Sequence, residues 1–300
     1  MLKIAFDQSF ILPLPEGHRF PMAKYELLPQ QLLYEGTVKE ENFFVPEIDA
    51  SPWISQTHQA DYLERLVSGK LSKAEIRRSG FPWSREMVER EFLLAAGTVQ
   101  ATKFALNYGL AMNIAGGTHH AYSDRGEGFC LLNDQAIAAQ YLIQEKGFTR
   151  VLILDLDVHQ GNGTAEIFQN EDRVFTFSMH GEKNYPMHKE KSDLDVACPD
   201  GMEDAAYLAL LEEKLLEVLD TFRPEFVFFQ SGVDVLASDK LGRLALSMDG
   251  CRRRDAMVLQ NCYQRSLPVM ISMGGGYSEN VSTIVNAHAN TYRLAQEIYF

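Results

Sequence analysis

The stretch Val151–Gly163, VLILDLDVHQGNG, decides the fold that this sequence predicts. It begins with a continuous apolar run of the length and composition typical of a buried strand. The run ends in Asp155, Asp157 and His159, and side chains two residues apart on a strand point to the same face. Two carboxylates and an imidazole on one face are costly to bury unless a cation lies between them. The stretch therefore predicts a metal site at the carboxyl end of a sheet strand.

Four further apolar runs and the helical segments between them predict the rest of the architecture. The runs are Leu110–Ala115, Val174–Ser178, Phe226–Gln230 and Val269–Ser272. Helical periodicity occurs over Ser84–Tyr108, Asn133–Glu145, Thr164–Asn170 and Glu203–Leu219. Such alternation is typical of a mostly parallel sheet with helices on both faces. We therefore predict one α/β domain over residues 1–300, with Lys3–Phe6 as an additional strand and with loops and short helices in residues 13–82.

The charge balance limits the classes of partner. The chain has 28 Lys and Arg residues and 41 Asp and Glu residues, a net charge of −13. Because phosphate binding requires a basic surface, we expect no nucleic acid partner. An acidic surface favours cationic substrates such as lysine-rich peptides or polyamines, although this charge can also serve solubility alone. Arg252–Arg254, flanked by Asp249 and Asp255, predict a solvated helix face rather than an anion-binding patch.

Cysteine usage and the amino terminus indicate the compartment. The four cysteines have no CxxC spacing, which in a chain of this length is typical of reduced thiols in a cytosolic protein. Asp7 interrupts the amino-terminal apolar residues before a signal peptide can form, and no apolar run has the length of a membrane span. We expect a cytoplasmic protein that does not bind membranes, and the sequence leaves its oligomeric state open.

The residues that follow the predicted strands carry the chemistry. Besides those after Val151, they are His119-His120 after two glycines, Ser178-Met179-His180, Asp234 after Ser231-Gly232, and Tyr277 after three glycines. In open parallel α/β sheets, ligands bind outside the carboxyl ends of the strands. Five separate segments therefore bring polar or metal-binding side chains to one edge of the sheet.

Asp157, His159 and Asp234 form a plausible set of three metal ligands that leaves a position open for water or substrate. This arrangement is typical of catalytic zinc, which lowers the pKa of its water to about 7. The same ligand types also suit Fe(II), Mn or Co. The alternatives are a salt-bridged or capping pair for Asp157 and His159, and a helix N-cap for Asp234.

Three other segments are candidates for catalysis or substrate contact. Beside a metal, His119 and His120 fit a general base toward water and a general acid toward a leaving amine, although adjacent histidines are often structural. Tyr277 fits an oxyanion donor because the preceding glycines allow close approach; a core tyrosine is the alternative. Gly128 and Phe129 place an aromatic ring either on a channel wall or in a packing position.

Five motifs, taken together, resemble the histone deacetylase family. In chain order they are GGTHHA (116–121), GFCLLND (128–134), DLDVHQGNG (155–163), SGVD (231–234) and GGGY (274–277). The segments SDRGEGFC (123–130) and DVLASDKLGRLALS (234–247) are similar to the class IV branch and its bacterial relatives. The resemblance covers residues 90–285.

This resemblance implies an arginase/deacetylase-type fold and zinc-dependent removal of acyl groups, acetyl or longer, from the Nε-amine of lysine. By motif position it implies zinc ligation by Asp157, His159 and Asp234. It implies acid–base catalysis by His119 and His120, with Asp155 orienting His119, and oxyanion stabilisation by Tyr277. The implied substrate contacts are Gly128, Phe129, Gly275 and Gly276. It also implies a structural monovalent cation, typically potassium, held by Asp155, Ser178 and the backbone carbonyls of Asp157, His159 and Met179.

Two positions depart from the family pattern. Many members have an aspartate behind the second histidine, where this chain has Asn162. An amide stabilises an imidazolium less than a carboxylate does, so we expect His120 to be less basic and the better candidate base. Many animal enzymes also have a rim aspartate that grips the substrate backbone, and the corresponding stretch here, Gly80–Trp83, has none.

Two other functions stay open on the sequence alone. Deacetylation of polyamines or of another small amide would use the same chemistry. A metal-binding protein that recognises acylated partners without turnover would use the same ligands. This last function is disfavoured, because such a protein has no need of Tyr277 and both histidines.

Overall fold

The centre of the molecule is an eight-stranded sheet in which every neighbouring pair of strands is parallel. The structure is a computed structural model that covers residues 1–300. The strands are β1 (Lys3–Ala5), β2 (Phe43–Phe44), β3 (Leu110–Asn113), β4 (Val151–Asp155), β5 (Val174–Gly181), β6 (Leu194–Cys198), β7 (Phe226–Gln230) and β8 (Val269–Ser272). Their order across the sheet is β2-β1-β3-β8-β7-β4-β5-β6. The predicted α/β domain with a parallel sheet is confirmed.

Ten α-helices flank this sheet. They are α1 (Lys24–Tyr34), α2 (Ser51–Thr57), α3 (Ala60–Val67), α4 (Lys73–Ser79), α5 (Arg85–Tyr108), α6 (Asp134–Glu145), α7 (Asn162–Phe168), α8 (Asp204–Thr221), α9 (Met248–Gln264) and α10 (Val281–Tyr299). Side-chain caps fix where several of them begin: Ser84, Asn133 and Ser247 each accept a hydrogen bond from a backbone N–H in the first turn of α5, α6 and α9. None of the ten combines the length and the apolar character that crossing a bilayer requires.

The five predicted apolar runs all form strands, and β7 and β8 have the predicted bounds. Two strands were not predicted. β2 has only two residues, and β6 lies at the edge of the sheet, where its sequence LDVAC alternates between buried and more exposed positions. An edge strand of this kind lacks the continuous apolar run that marks a strand buried on both faces. The helix α10 was also not predicted, and of α9 only the short segment Arg252–Arg254 was predicted to be helical.

The predicted solvated face at Arg252–Arg254 is wrong for Arg254, which is fully buried. Its Nη1 donates to the backbone oxygens of Leu156 at 3.0 Å and Gly232 at 2.6 Å, and its guanidinium pairs with Asp255 at 2.7 Å. A buried charge persists only with partners of this kind. Arg254 thereby ties α9 to the loops that follow β4 and β7.

The register of the strands places the loops that carry the candidate site residues at the same edge of the sheet. Asp155, the last residue of β4, pairs with Gln230 at the end of β7 and with Ser178 on β5. Gln230 pairs in turn with Ser272 at the end of β8. The chain segments that follow these strands therefore leave the sheet at the same edge, as predicted.

The four cysteines are buried free thiols.

Candidate active site

Three side chains from two neighbouring strand ends converge at the carboxyl edge of the sheet. Asp157 and His159 follow β4, and Asp234 follows β7. One ligand atom from each lies within 4.8 Å of the other two, and all three residues are buried. Nδ1 of His159 lies 3.1 Å from Oδ1 of Asp157 and 3.1 Å from Oδ2 of Asp234. The structure thus brings together the three residues that the sequence offers as metal ligands.

Backbone N–H groups hold the two carboxylates in place. Asp157 accepts hydrogen bonds from the backbone N–H groups of His159 at 3.0 Å and Gly275 at 2.8 Å, and Asp234 accepts one from Val158 at 3.0 Å. Asp234 caps no helix, which excludes that interpretation of it. A Cβ atom at Gly275 would lie 2.1 Å from Oδ2 of Asp234, so only glycine allows the loop after β8 to approach this closely.

The donor set fits a divalent cation. Burial, followed by the charge of Asp157, raises the pKa of Asp234 to about 7. Burial opposes protonation of His159, but its hydrogen bonds to Asp157 and Asp234 and the charges of these two carboxylates together outweigh this and raise its pKa to about 10. Two buried carboxylates beside one imidazole carry an excess of negative charge that a divalent cation would compensate. Zinc accepts such ligands, and so do Fe(II) and Mn(II).

The tandem histidines have different partners behind them. Nδ1 of His119 lies 2.6 Å from Oδ2 of Asp155, whereas Nδ1 of His120 lies 2.6 Å from Oδ1 of Asn162. Burial opposes protonation of His119, but the charges of Asp155 and Asp157 and the hydrogen bond to Asp155 together outweigh it and raise the pKa of His119 to about 9. Burial and the neighbouring His119 hold the pKa of His120 well below its usual value. The pair therefore combines one cationic and one neutral imidazole at pH 7.

A short polar network fixes the orientation of Asn162. Its Nδ2 donates to the hydroxyl of Tyr122 at 3.0 Å and to Oε1 of Glu127 at 3.2 Å. Glu127 also accepts a hydrogen bond from the hydroxyl of Tyr185. Because the amide nitrogen is engaged on that side, the amide oxygen faces His120, and Nδ1 of His120 must carry the proton. Nε2 of His120 is then an unprotonated acceptor without a partner in the protein.

Tyr277 and Lys24 lie at the glycine-rich loop after β8. The backbone N–H of Tyr277 donates to Asp239 at 2.6 Å, and its hydroxyl has no partner in the protein. Nζ of Lys24 donates to the backbone oxygen of Gly274 at 3.0 Å and lies 5.7 Å from the centroid of the Tyr277 ring. Lys24 is fully buried, and this burial lowers its pKa to about 8. Sequence reasoning missed Lys24, because it reads as an ordinary polar residue at the start of α1.

Two connected cavities lead from the surface to this cluster. The outer cavity has a volume of about 470 Å³ and the inner cavity a volume of about 40 Å³. They share five lining residues, which are His120, Gly128, Phe129, His159 and Tyr277. The shape is a wide entrance that narrows to a small chamber beside the candidate metal ligands.

Phe129 and Tyr185 form walls of the entrance. Phe129 has a φ of 67°, and its ring packs against Phe20 with centroids 5.4 Å apart, so it both lines the channel and packs. A Cβ atom at Gly128 would lie 2.6 Å from Cδ2 of His120, which explains the glycine beside the histidine. The ring of Tyr185 lies edge-on to His120 at 5.1 Å between centroids.

Comparison with known proteins identifies the family and supports the fold. The sequence matches the histone deacetylase domain over residues 18–292. The chain belongs to the histone deacetylase family. It is 42% identical over 297 residues to an uncharacterised protein of Picosynechococcus, with 99% of each chain covered. It is 28% identical over 291 residues to histone deacetylase 2 of Arabidopsis thaliana, which covers 94% of this chain and 75% of that protein.

A solved structure supports the same assignment. The crystal structure of a histone deacetylase homologue from Aquifex aeolicus superposes with a TM-score of 0.84 at 26% identity, covering 97% of this chain and 82% of that one. The histone deacetylase family consists of hydrolytic deacetylases, so this protein is an enzyme that acts on an acylated substrate.

Two other groups of residues are expected for a histone deacetylase: glycines that contact the substrate and residues that hold a monovalent cation. Gly275 lines the inner cavity, whereas Gly276 lies behind it, where an added Cβ would approach Val233 within 2.7 Å. The residues expected at a monovalent cation lie at the ends of two paired strands: Asp155 pairs with Ser178, Asp157 and His159 follow Asp155, and Met179 follows Ser178.

Several polar residues at this site were not predicted from the sequence. Glu127 stands inside the motif SDRGEGFC, and its position directly before Gly128 was the available signal. Arg77 and Arg78 form a basic pair just before Gly80, and Arg19 precedes the aromatic Phe20. All three arginines line the entrance cavity.

Proposed function

We propose that this protein is a zinc-dependent deacetylase that hydrolyses Nε-acetyl-lysine in proteins or peptides. The observation that carries the proposal is the set Asp157, His159 and Asp234, of which Asp157 and His159 line a chamber of about 40 Å³ at the end of the channel. A lysine side chain is long enough to span a narrow channel and to place its acylated amine beside these ligands. The sequence alone leaves the length of the acyl chain open.

The size of the chamber favours the acetyl group. The chamber is less than a tenth of the size of the entrance cavity, about 40 Å³ against about 470 Å³, so it is the narrow end of the channel. An acetyl group is the shortest of the acyl groups considered and makes the smallest demand on this chamber, whereas an octanoyl or myristoyl chain makes a much larger one. Glycines and buried side chains, including Arg90 and Cys130, surround the chamber. A longer acyl chain would have to displace them.

The metal would be held by Asp157, His159 and Asp234. When bound, zinc supplies Lewis-acid activation of the attacking water and of the substrate carbonyl. The donor set also accepts Fe(II) or another divalent ion, and zinc is proposed because its catalytic sites combine a few nitrogen and oxygen ligands with an open position. A potassium ion near Asp155 and Ser178, with backbone carbonyls of Asp157, His159 and Met179, is a further part of this proposal.

His120 acts as the general base and His119 as the general acid. The low pKa of His120 keeps it neutral, and its Nε2 accepts the proton of the water that attacks the carbonyl carbon. The carbon–nitrogen bond then breaks as the leaving amine takes a proton from His119, whose pKa of about 9 keeps it charged at neutral pH. Asp155 holds His119 in the orientation that this transfer requires.

Tyr277 stabilises the oxyanion that develops on the carbonyl oxygen. Burial raises the pKa of its phenol well above the usual value, so the hydroxyl keeps its proton. Because this hydroxyl has no partner in the protein, it is free to donate to the substrate. A preorganised donor of this kind in a buried site stabilises a transition state strongly.

The proposal is tested with matched acetyl-, octanoyl- and myristoyl-lysine peptides and acetylspermidine on zinc-reconstituted protein. We expect chelator-sensitive hydrolysis of the acetyl peptide that exceeds the rate on the longer acyl chains and on the polyamine. Faster hydrolysis of the octanoyl or myristoyl peptide would contradict the assignment of the chamber to acetyl. Faster hydrolysis of acetylspermidine would favour the small-amide function, and bound zinc without turnover on any substrate would favour an acyl-lysine-binding protein.

A further inference from the structure

We infer that Arg19, Arg77 and Arg78 form a cationic rim that binds an anionic group of the substrate next to its acylated amine. The inference rests on the proposed function, since it concerns the substrate of the same channel. It adds a specificity that neither the family nor the net charge of −13 implies. We call these three residues the arginine rim.

The three side chains of the arginine rim have no hydrogen-bond or salt-bridge partner in the protein. The chain has 16 arginines, and 12 of them donate a side-chain hydrogen bond to another protein group. The other four are Arg19, Arg77, Arg78 and Arg253. None of these four forms a salt bridge either. Three of the four line a single cavity, the entrance to the channel.

The entrance is cationic although the protein is acidic. Its lining includes no aspartate and no glutamate. Glu127 lies nearby, but its carboxylate is already engaged by Asn162, Tyr185 and Arg125. The arginine rim is therefore not neutralised from within the protein, and its exposed guanidinium groups are available to a ligand. Guanidinium groups bind carboxylates and phosphates with paired hydrogen bonds.

Two backbone contacts fix the rim relative to the channel. The backbone N–H groups of Gly128 and Phe129 donate to the oxygens of Arg78 at 3.1 Å and Ser79 at 2.7 Å, which ties the end of α4 to the channel wall. The imidazole Nε2 of His18 lies 2.8 Å from the backbone oxygen of Gly80, which ties the segment before Arg19 to the same place.

Arg19 also lies directly over the wall of the channel. Its Cζ is 6.0 Å from the centroid of the Phe129 ring. These contacts hold the backbone beside the arginines against the channel wall, and all three side chains line the entrance. A substrate whose acyl-lysine enters the channel would place its flanking residues among them. The rim therefore favours acyl-lysines with acidic neighbours and disfavours polyamines, which are cationic along their whole length.

The test compares three acetyl-lysine peptides that differ only in the flanking residues, which are Glu, Gln or Lys. We expect kcat/KM for the Glu peptide to exceed that for the Gln peptide by about tenfold at low salt, since each exposed ion pair contributes up to several-fold. The Lys peptide should be the poorest of the three. The preference should shrink as salt is added, because exposed charges are screened.

Free Nε-acetyl-lysine and its carboxamide identify the source of the anionic group. A preference confined to the peptides means that side chains of a protein substrate supply the carboxylate. A preference for free acetyl-lysine over its carboxamide means that a small substrate supplies it. Either result supports the arginine rim.

The variant Arg19→Gln/Arg77→Gln/Arg78→Gln should bring the Glu-to-Gln ratio close to 1. Arg253→Gln is the matched control, because it removes the fourth unpaired arginine, which is exposed on α9, and it should keep the full preference. Affinity for the three peptides, measured by fluorescence anisotropy, provides a readout that needs no turnover. Equal rates and equal affinities for Glu, Gln and Lys peptides would overturn the rim. Absence of turnover with a Glu preference retained in affinity would instead overturn the proposed function alone.

Discussion

Nδ1 of His120 lies 2.6 Å from the side-chain oxygen of Asn162, whereas its neighbour His119 has the carboxylate of Asp155 at the same distance. The two histidines are adjacent in the chain and their ring centroids are only 4.0 Å apart. Their different partners give them opposite protonation at neutral pH, since a carboxylate stabilises an imidazolium and an amide does not. This asymmetry assigns His120 as base and His119 as acid in the mechanism proposed for this chain.

Asn162→Asp should make His120 more basic. A carboxylate in place of the amide stabilises the imidazolium, so the pKa of His120 rises and the neutral base is lost at a higher pH. The acidic limb of the kcat/KM–pH profile should therefore move upward by about one unit or more. Asn170→Asp, at an exposed position after α7, is the control and should leave the profile in place. An unmoved acidic limb in Asn162→Asp would remove His120 from the role of base.

Glu127→Ala should lower kcat with little change in KM. Without this carboxylate, the amide of Asn162 loses one of the two acceptors that hold its oxygen toward His120. Loss of one such hydrogen bond corresponds to a fall of about tenfold. Glu127→Gln retains an acceptor oxygen and should restore most of the rate. If both variants fall equally, or if KM alone changes, Glu127 does not act through Asn162.

Tyr277→Phe should reduce kcat by about 100-fold or more while zinc stays bound, as expected for the loss of one oxyanion donor. The hydroxyl contacts no other protein group, so its removal should not disturb the fold. Steady-state kinetics and elemental analysis on the same preparation separate the two effects. An unchanged kcat would remove Tyr277 from the mechanism.

Lys24→Met should change how stability depends on alkaline pH. The pKa of Lys24 is about 8 in the folded protein and 10.5 in an unfolded chain, so between these values the unfolded state binds more protons. The free energy of unfolding of the wild type should therefore rise with pH across this window relative to Lys24→Met, by about 3 kcal/mol. Denaturant titrations at pH 7.5 and 10.5 measure this difference. If the difference in the free energy of unfolding between the two proteins does not vary with pH, burial does not lower the pKa of Lys24.

The sequence predicted the centre of the fold, and it placed the three candidate metal ligands at one edge of the sheet, for physical reasons. β4, β7 and β8 are buried on both faces, so their apolar runs are continuous and their ends are sharp. The residues after those strands had to meet at one edge, which brought Asp157, His159 and Asp234 together. β6 escaped prediction because an edge strand alternates in polarity.

The burial of two charged residues was not predicted from the sequence because their partners are distant in the chain. Arg254 reads as one member of a surface charge run, yet its partners are backbone oxygens of Leu156 and Gly232, about a hundred and about twenty residues away in the chain. Lys24 meets Gly274 from the other end of the chain. No local pattern predicts that a charged residue will be buried by a partner so distant in sequence.

The most direct test of the central claim is the return of activity as zinc is added to chelator-treated protein. The bound zinc and the rate of acetyl-lysine hydrolysis are measured on the same samples, with Asp157→Ala as the control that should bind no zinc. We expect a rate that rises in proportion to bound zinc and saturates at one ion per chain. Full activity before zinc is added, or one bound zinc without hydrolysis, would contradict it.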